Sequence, residues 1–247
     1  GYDTLKTPNI NNRNLHYLRP FQNPEFFLGS DDKGNSLWDA LWAGTKNSLF
    51  LAVMATFITE FLGVVVGMFW GFSKKIDAVM IEVYNVVSNI PTTLIAMILV
   101  YALGGGMQQL IFALCITTWV GTAYFIRVQV MIIRDREYNL ASKCLGTPTY
   151  KIILNNILPY LVSVIITSVS RDIPLFISTE VALSYMGVGL SYKYPSLGKM
   201  IQEYSPYMTS AGYLFWIPVV TAAVISISLY IVGQSLADAS DPRTHML

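Results

Sequence analysis

Five stretches of this chain, residues 48–72, 81–103, 110–130, 159–186 and 213–233, are apolar along almost their whole length. At about 1.5 Å of rise per residue, each makes a helix long enough to cross the roughly 30 Å hydrocarbon layer of a bilayer. A backbone in lipid must satisfy its own N–H and C=O groups, which confines such a chain to a bundle of transmembrane helices. Composition agrees, with 53% hydrophobic and 13% charged residues. The fold class read from the sequence is therefore an all-α integral membrane protein with five spans inside these residues. A net charge of +1 without a dense basic cluster argues against nucleic acid as a partner. Cys115 and Cys144 are separated from each other and from His16 and His245, which argues against a disulfide and against a zinc site.

Charge sets the orientation. Lys74 and Lys75 in one short loop, and Arg134, Arg136, Lys143 and Lys151 in another, contrast with the chargeless turn around Gly104. The positive loops belong on the cytoplasmic side. Residues 1–44 hold no apolar run long enough to span, and are expected to form an extracellular segment with an amphipathic interfacial helix capped by Ser36 and carrying Trp38 and Trp42. The transmembrane domain is expected over residues 45–247.

Several polar residues fall inside the spans. Glu60 lies about 18 Å into the first, and Arg171 and Asp172 about 18 Å into the fourth. Charge at that depth is expensive and should face protein or water. Opposite signs at similar depth suggest that Glu60 pairs with Arg171, either as a structural tie or as part of a translocation path. In the second span Glu82, Asn85, Asn89, Thr92 and Thr93 share one helical face, expected to pack on other spans or line a cavity, and Pro91 should bend the helix. Gly63, Gly67 and Gly71, four apart, make a smooth stripe for close helix approach.

The longest polar interruption in the second half is residues 134–159. It reads as two short helices. The first runs from Glu137 to Leu145, with Gly146 at the position where a helix commonly ends in a left-handed residue. The second has Thr147 as its N-cap and Pro148 at its first position. Within this stretch Ala141, Ser142, Gly146, Leu158 and Pro159 resemble the E-A-A-x-x-x-G loop and terminal L-P of the permease subunits of ABC importers. Leu140 stands where that pattern has Glu, Ser142 where it has a second Ala, and Asn156 where Ile or His is usual.

Three further motifs keep the order of the same family. Leu28 to Leu49 is similar to the G-T-D-x-x-G-R-D signature of the C-type subunit of oligopeptide and dipeptide permeases, with Asn35 and Ser36 in place of its Arg and Asp. Glu180 to Ile201 resembles E-x-x-L-S-F-L-G-L-G followed by P-S-W-G, with Leu197 for the Trp. Gly233 to Arg243 resembles the terminal G-x-x-L-x-D-x-x-D-P-R.

The resemblance implies the transmembrane domain of a type I ABC importer, with a sixth span upstream of residue 1, in a bacterial cytoplasmic membrane. It implies one permease subunit of an ATP-driven oligopeptide importer, half of the translocation pathway. The expected partners are a second homologous permease subunit, two ATPase subunits that carry ATP and Mg, an extracellular substrate-binding protein, and the peptide. On this resemblance the residues that couple to the ATPases are Glu137, Leu140, Ala141, Ser142, Leu145, Gly146, Thr147 and Pro148. The translocation path or interhelix polar contacts fall to Glu60, Asn85, Asn89, Arg171 and Asp172. No G-x-x-x-x-G-K-[ST], G-x-S-x-G or H-E-x-x-H sequence occurs, so no catalytic residue, metal ligand or cofactor of its own is assigned. A secondary transporter or channel using the intramembrane charges is the alternative; it would be supported by inverted repeats, of which the sequence gives no sign.

Overall fold

Ser36 starts the first long element: its side chain accepts the N–H of Asp39, and α1 then runs unbroken from Leu37 to Phe72. This computed structural model describes residues 9, 11–190 and 194–240. The nine helices among those residues are α1 (Leu37–Phe72), α2 (Lys74–Ser88), α3 (Thr92–Leu103), α4 (Met107–Arg134), α5 (Glu137–Cys144), α6 (Thr149–Ile152), α7 (Leu158–Tyr185), α8 (Leu197–Tyr204) and α9 (Gly212–Ser240). The interfacial helix expected before residue 45 is thus the opening of α1 itself. No Gly or Pro breaker separates Ser36 from the first span except Gly44, which faces Met200 and the start of α8.

α1 and α4 lie along one another because the glycine stripe lets them. A Cβ at Gly63 would sit 2.6 Å from the Thr122 side chain, at Gly67 2.6 Å from the Ala123 carbonyl, and at Gly71 2.7 Å from that of Arg127. Ile126, Val130 and Ile133 of α4 are wholly buried beside Met68 of α1 and Ile153, Ile157 and Leu161 further on. α7 packs against α1 and α9, and α8 rests on α7, α9 and the start of α1. The ends of α1 therefore mark two ends of the bundle. One holds α5 and α6, the other α8.

Among the described residues four helices are long and apolar enough to cross a membrane: α1, α4, the continuous helix Thr149–Tyr185, and α9; α2 with α3 makes a fifth if counted as one broken span. The bend expected at Pro91 is a full break of 77° between α2 and α3. Pro91 takes the N-cap place of α3, and its ring excludes the preceding residue from helical geometry. The face Glu82, Asn85, Asn89, Thr92, Thr93 is exposed, contrary to the expectation that it packs on other spans of this chain; α2 has no buried residue at all. It is exposed on its apolar side too, at Val79, Val83 and Val86.

The second arm of the polar interruption also differs from expectation. α6 continues through the wide π turn Ile153–Ile157 into α7, so this arm is the first turns of the fourth span and not a separate helix. The widened turn lies directly before Pro159, whose missing N–H would otherwise leave a carbonyl one turn back without its helical partner. Cys115 is buried and Cys144 exposed, both with free thiols. Asp241, Pro242 and Arg243 of the terminal motif, and His245, lie outside the described residues.

Candidate functional site

α5, the turn after it and α6 form an elbow that projects beyond the end of α1. α5 closes on a paired turn: Thr147 N–H bonds Ser142 O and Gly146 N–H bonds Lys143 O, each at 3.0 Å. Gly146 takes φ +79° there, and a Cβ on it would meet nothing within 4 Å. Glycine is required at this position by backbone geometry and not by crowding. Thr147 does not cap the second arm as expected, because the helix begins one residue later. Pro148 occupies the N-cap and Thr149 the first helical position.

Three residues, Arg136, Asn139 and Lys143, hold the elbow to the spans, beside a tie between the ends of α4 and α1. Arg134 donates to Gly71 O at 2.9 Å, at the end of α1. Lys143 Nζ lies 4.5 Å from the centre of the Phe72 ring, and the Arg136 guanidinium 5.4 Å from that of Tyr160. At the centre sits Asn139, wholly buried, whose Nδ2 donates to Ile133 O at 2.9 Å and whose Oδ1 accepts from Asn156 Nδ2 at 2.9 Å. One side chain thereby joins α4, α5 and the start of α7. The motif comparison did not single out Asn139, and it treated Asn156 as a departure. The two are one amide pair, and no local pattern marked it, since Asn139 lies with Ser142 and Lys143 on the polar side of the short helix.

The residues expected to engage a partner are those the elbow leaves uncovered. Glu137, Leu140, Ala141, Leu145, Gly146 and Pro148 are exposed and Ser142 and Thr147 half-buried. Leu145 is 86% exposed at the tip, with Tyr138, Leu140 and Tyr150 also open. An apolar knob on a rigidly held polar elbow can fill a hydrophobic recess in another protein, with its carbonyl-rich turn and basic flanks at the rim.

Of the intramembrane residues, Glu60, Arg171 and Asp172 come together between α1 and α7, whereas Asn85 and Asn89 lie apart on α2. Arg171 does not take Glu60 as its ion-pair partner. It bonds Asp172 at 3.3 Å and Ser168 at 3.4 Å and lays its guanidinium 5.5 Å from the Phe125 ring centre. Residue 171 sits about 100° around α7 from residue 172, so its side chain turns to α4 and is 56% exposed, while Asp172 turns inward toward α1. Glu60 is 5% exposed with Ser168 and Asp172 as neighbours, but no hydrogen bond of ordinary length reaches either of its oxygens among the described residues. Beside it an apolar groove of about 560 Å³ runs along α1 and α7, lined by Phe57, Phe61, Val65, Leu158 and Val169.

A second ionic tie, not anticipated, joins α1, α2 and α4. Arg127 grips Asp77 with two parallel bonds, Trp70 Nε1 donates to the same carboxylate at 2.7 Å, and the guanidinium lies 5.5 Å from the Trp70 ring centre. At the opposite end of the bundle, Asp31, Asp32, Lys199, Glu203 and Tyr207 line a cavity of about 250 Å³. There a hydrogen bond with Tyr17, then burial, pushes the Tyr207 hydroxyl up to about 12, so it stays protonated to donate to Asp32 at 3.4 Å.

Comparison with known proteins fits this geometry. Residues 63–246 match the family model described as binding-protein-dependent transport system inner membrane component. The chain is 51% identical over 244 residues to the oligopeptide transport system permease protein AmiD of Streptococcus pneumoniae (strain ATCC BAA-255 / R6), covering 99% of this chain and 79% of that one. It is 34% identical over 223 residues to the dipeptide transport system permease protein DppC of Bacillus subtilis (strain 168), covering 89% and 69%. Its fold is that of a membrane subunit of the MetNI methionine ABC transporter in an inward-facing conformation, with TM-score 0.65, 17% identity, and coverage of 81% of this chain and 96% of that one. An all-helical bundle with a cantilevered elbow, matched along its length by such relatives, belongs to the family of binding-protein-dependent transport system inner membrane components, the permease subunits of ABC importers.

Proposed function

We propose that this chain is a permease subunit of an ATP-driven oligopeptide importer in a bacterial cytoplasmic membrane. It forms half of the translocation pathway, with a second homologous permease supplying the other half. Two cytoplasmic ATPases bind ATP and Mg, and an extracellular binding protein delivers the peptide. The elbow lies on the cytoplasmic side, and the α8 end faces out.

The observation that carries this reading is the elbow's construction. Its tip is open and apolar, while its base is bound to the ends of α1, α4 and α7 by Lys143, Asn139 and Arg136. Its second arm runs on into α7 as one helix, Thr149–Tyr185, of 37 residues and so about 55 Å long. A partner that closes on nucleotide and grips the tip therefore moves a span directly, biasing the bundle between two packings. The exposed polar and apolar faces of α2 supply surface for the second permease and for the pathway. An ion-coupled transporter is less well supported, since Glu60 is buried and the groove it borders is apolar.

The test is reconstitution. Purified with its membrane partner and ATPases, the chain should give peptide uptake into proteoliposomes that requires ATP and the binding protein and persists when the membrane potential is collapsed. Uptake driven by an ion gradient without ATP would overturn the reading.

A further inference from the structure

Glu180, near the end of α7 and away from the elbow, is wholly buried. Ser48 of α1 donates to its Oε2 at 3.0 Å, and Ser184 and Ser196 donate to its Oε1 at 2.8 and 2.6 Å. Two of these hydroxyls are also acceptors. Leu197 N–H bonds Ser48 Oγ at 3.1 Å, and Lys199 N–H bonds Ser196 Oγ at 3.0 Å. Ser196 is the N-cap of α8, so both N–H groups belong to the first turn of that helix, which has no partners of its own. Asn47 adds a bond to Pro195 O at 2.7 Å. Gly198 brings α8 directly onto α7, since a Cβ there would lie 2.7 Å from Val181 Cα and 2.8 Å from Glu180 Oε1.

The direction of this chain of bonds is fixed. A hydroxyl that accepts from an N–H has its own proton left to give, so it must face a group that accepts. An ionised carboxylate only accepts, and its charge is favourable at the N-terminal end of a helix. A glutamine in the same place would turn an N–H toward Ser48 or Ser196, leaving that hydroxyl's proton without its carboxylate acceptor, and one charge-assisted bond would be lost.

We propose that Glu180 is a positioning residue for transport: through Ser48 and Ser196 it locks α8 to α1 and α7, so that the outer face around α8 moves as one body with those spans when the binding protein engages it. The proposal rests on the importer reading above for the identity of that partner. It makes α8 a rigid continuation of the spans and the far-end cavity beside Asp31 and Glu203 a surface of fixed shape.

The experiment uses the assembled transporter in proteoliposomes with a Cys144→Ser background and a spin label on Glu203→Cys. Glu180→Gln and Ser196→Ala should each free the label and lower the ATP hydrolysis stimulated by peptide-loaded binding protein about tenfold, the scale of one lost charge-assisted hydrogen bond. Complex yield and unstimulated hydrolysis should stay at the wild-type level. Ser184→Ala should change stimulation by less than about twofold, because no backbone N–H stands behind that hydroxyl. A Glu180→Gln transporter with an immobile label and full stimulation would overturn the proposal. So would Ser196→Ala losing complex yield and both hydrolysis rates together, which would make the cluster a matter of folding alone. A wild-type assembly that ignores the binding protein would refute the importer reading instead, and the label would still report whether Glu180 holds α8.

Discussion

Replacing Asn139 by leucine should loosen the elbow without unfolding the spans. The side chain is wholly buried, and its loss removes two hydrogen bonds of 2.9 Å, to Ile133 O and from Asn156 Nδ2. Neither former partner is left bare. Ile133 O keeps the Arg136 N–H at 3.1 Å, and Asn156 Nδ2 keeps Ser142 Oγ at 3.4 Å. The penalty is therefore the net worth of two buried bonds, about 2 kcal/mol, and not the larger cost of stranding two polar groups. That is roughly thirtyfold in the equilibrium by which α5 lifts from α4 and α7. Hydrogen exchange in nanodiscs reads it directly: amides of Glu137–Cys144 should lose about thirtyfold in protection while those of α4 hold theirs. ATP-driven uptake should fall as the attachment weakens. Asn156→Leu should give a similar loss, and the double variant should be far from additive because both act on one bond. Protection of α5 within threefold of wild type in Asn139→Leu would refute the claim that this amide pair anchors the elbow.

Substitutions at three other positions test separate parts of the structure. Gly67→Ala places a methyl 2.6 Å from the Ala123 carbonyl, so α1 and α4 must part, and the thermal midpoint in detergent should drop by an amount equal to about 1–3 kcal/mol; an unchanged midpoint would contradict the close approach. Gly146→Ala and Gly146→Trp share the strain of φ +79°, about 1–2 kcal/mol, but only Trp adds bulk at the open tip. Comparing ATPase co-purification for the two isolates docking, with Trp expected to lose the ATPases and Ala to keep them. Arg127→Leu leaves the Asp77 carboxylate without its guanidinium, with the Trp70 N–H still donating to it, and should cost about 1–3 kcal/mol, read as earlier thermal unfolding; Lys at this position should recover only part, since it cannot form the paired grip.

The spans, the glycine stripe and the left-handed Gly146 were legible because each depends on local pattern. Apolar length, a four-residue repeat of glycine, and glycine before proline carry their structural meaning in the chain itself. What the sequence did not convey were choices made between elements. Depth alone suggested that Glu60 would pair with Arg171, yet a helix rotates successive residues by about 100°, and that rotation gave Arg171 to Asp172 and Phe125. Pro91 announced a bend, but whether α3 continues or folds back on α4 depends on Ala96 and Val100 finding burial there. Asn139 and Asn156 stand seventeen residues apart and make sense only once the elbow brings them together. Of the residues expected to face an ATPase, Glu137, Leu140, Ala141, Leu145, Gly146 and Pro148 are exposed and Ser142 and Thr147 half-buried, which again depends on what the neighbouring elements cover.

The central claim is that the elbow's tip is held by a nucleotide-driven partner. A photoreactive residue in place of Leu145, in the assembled transporter, tests it most directly. The account predicts an adduct to the ATPase subunit whose yield changes between the nucleotide-free and ATP-bound states. Adducts formed only with phospholipid, unchanged by nucleotide, would contradict it.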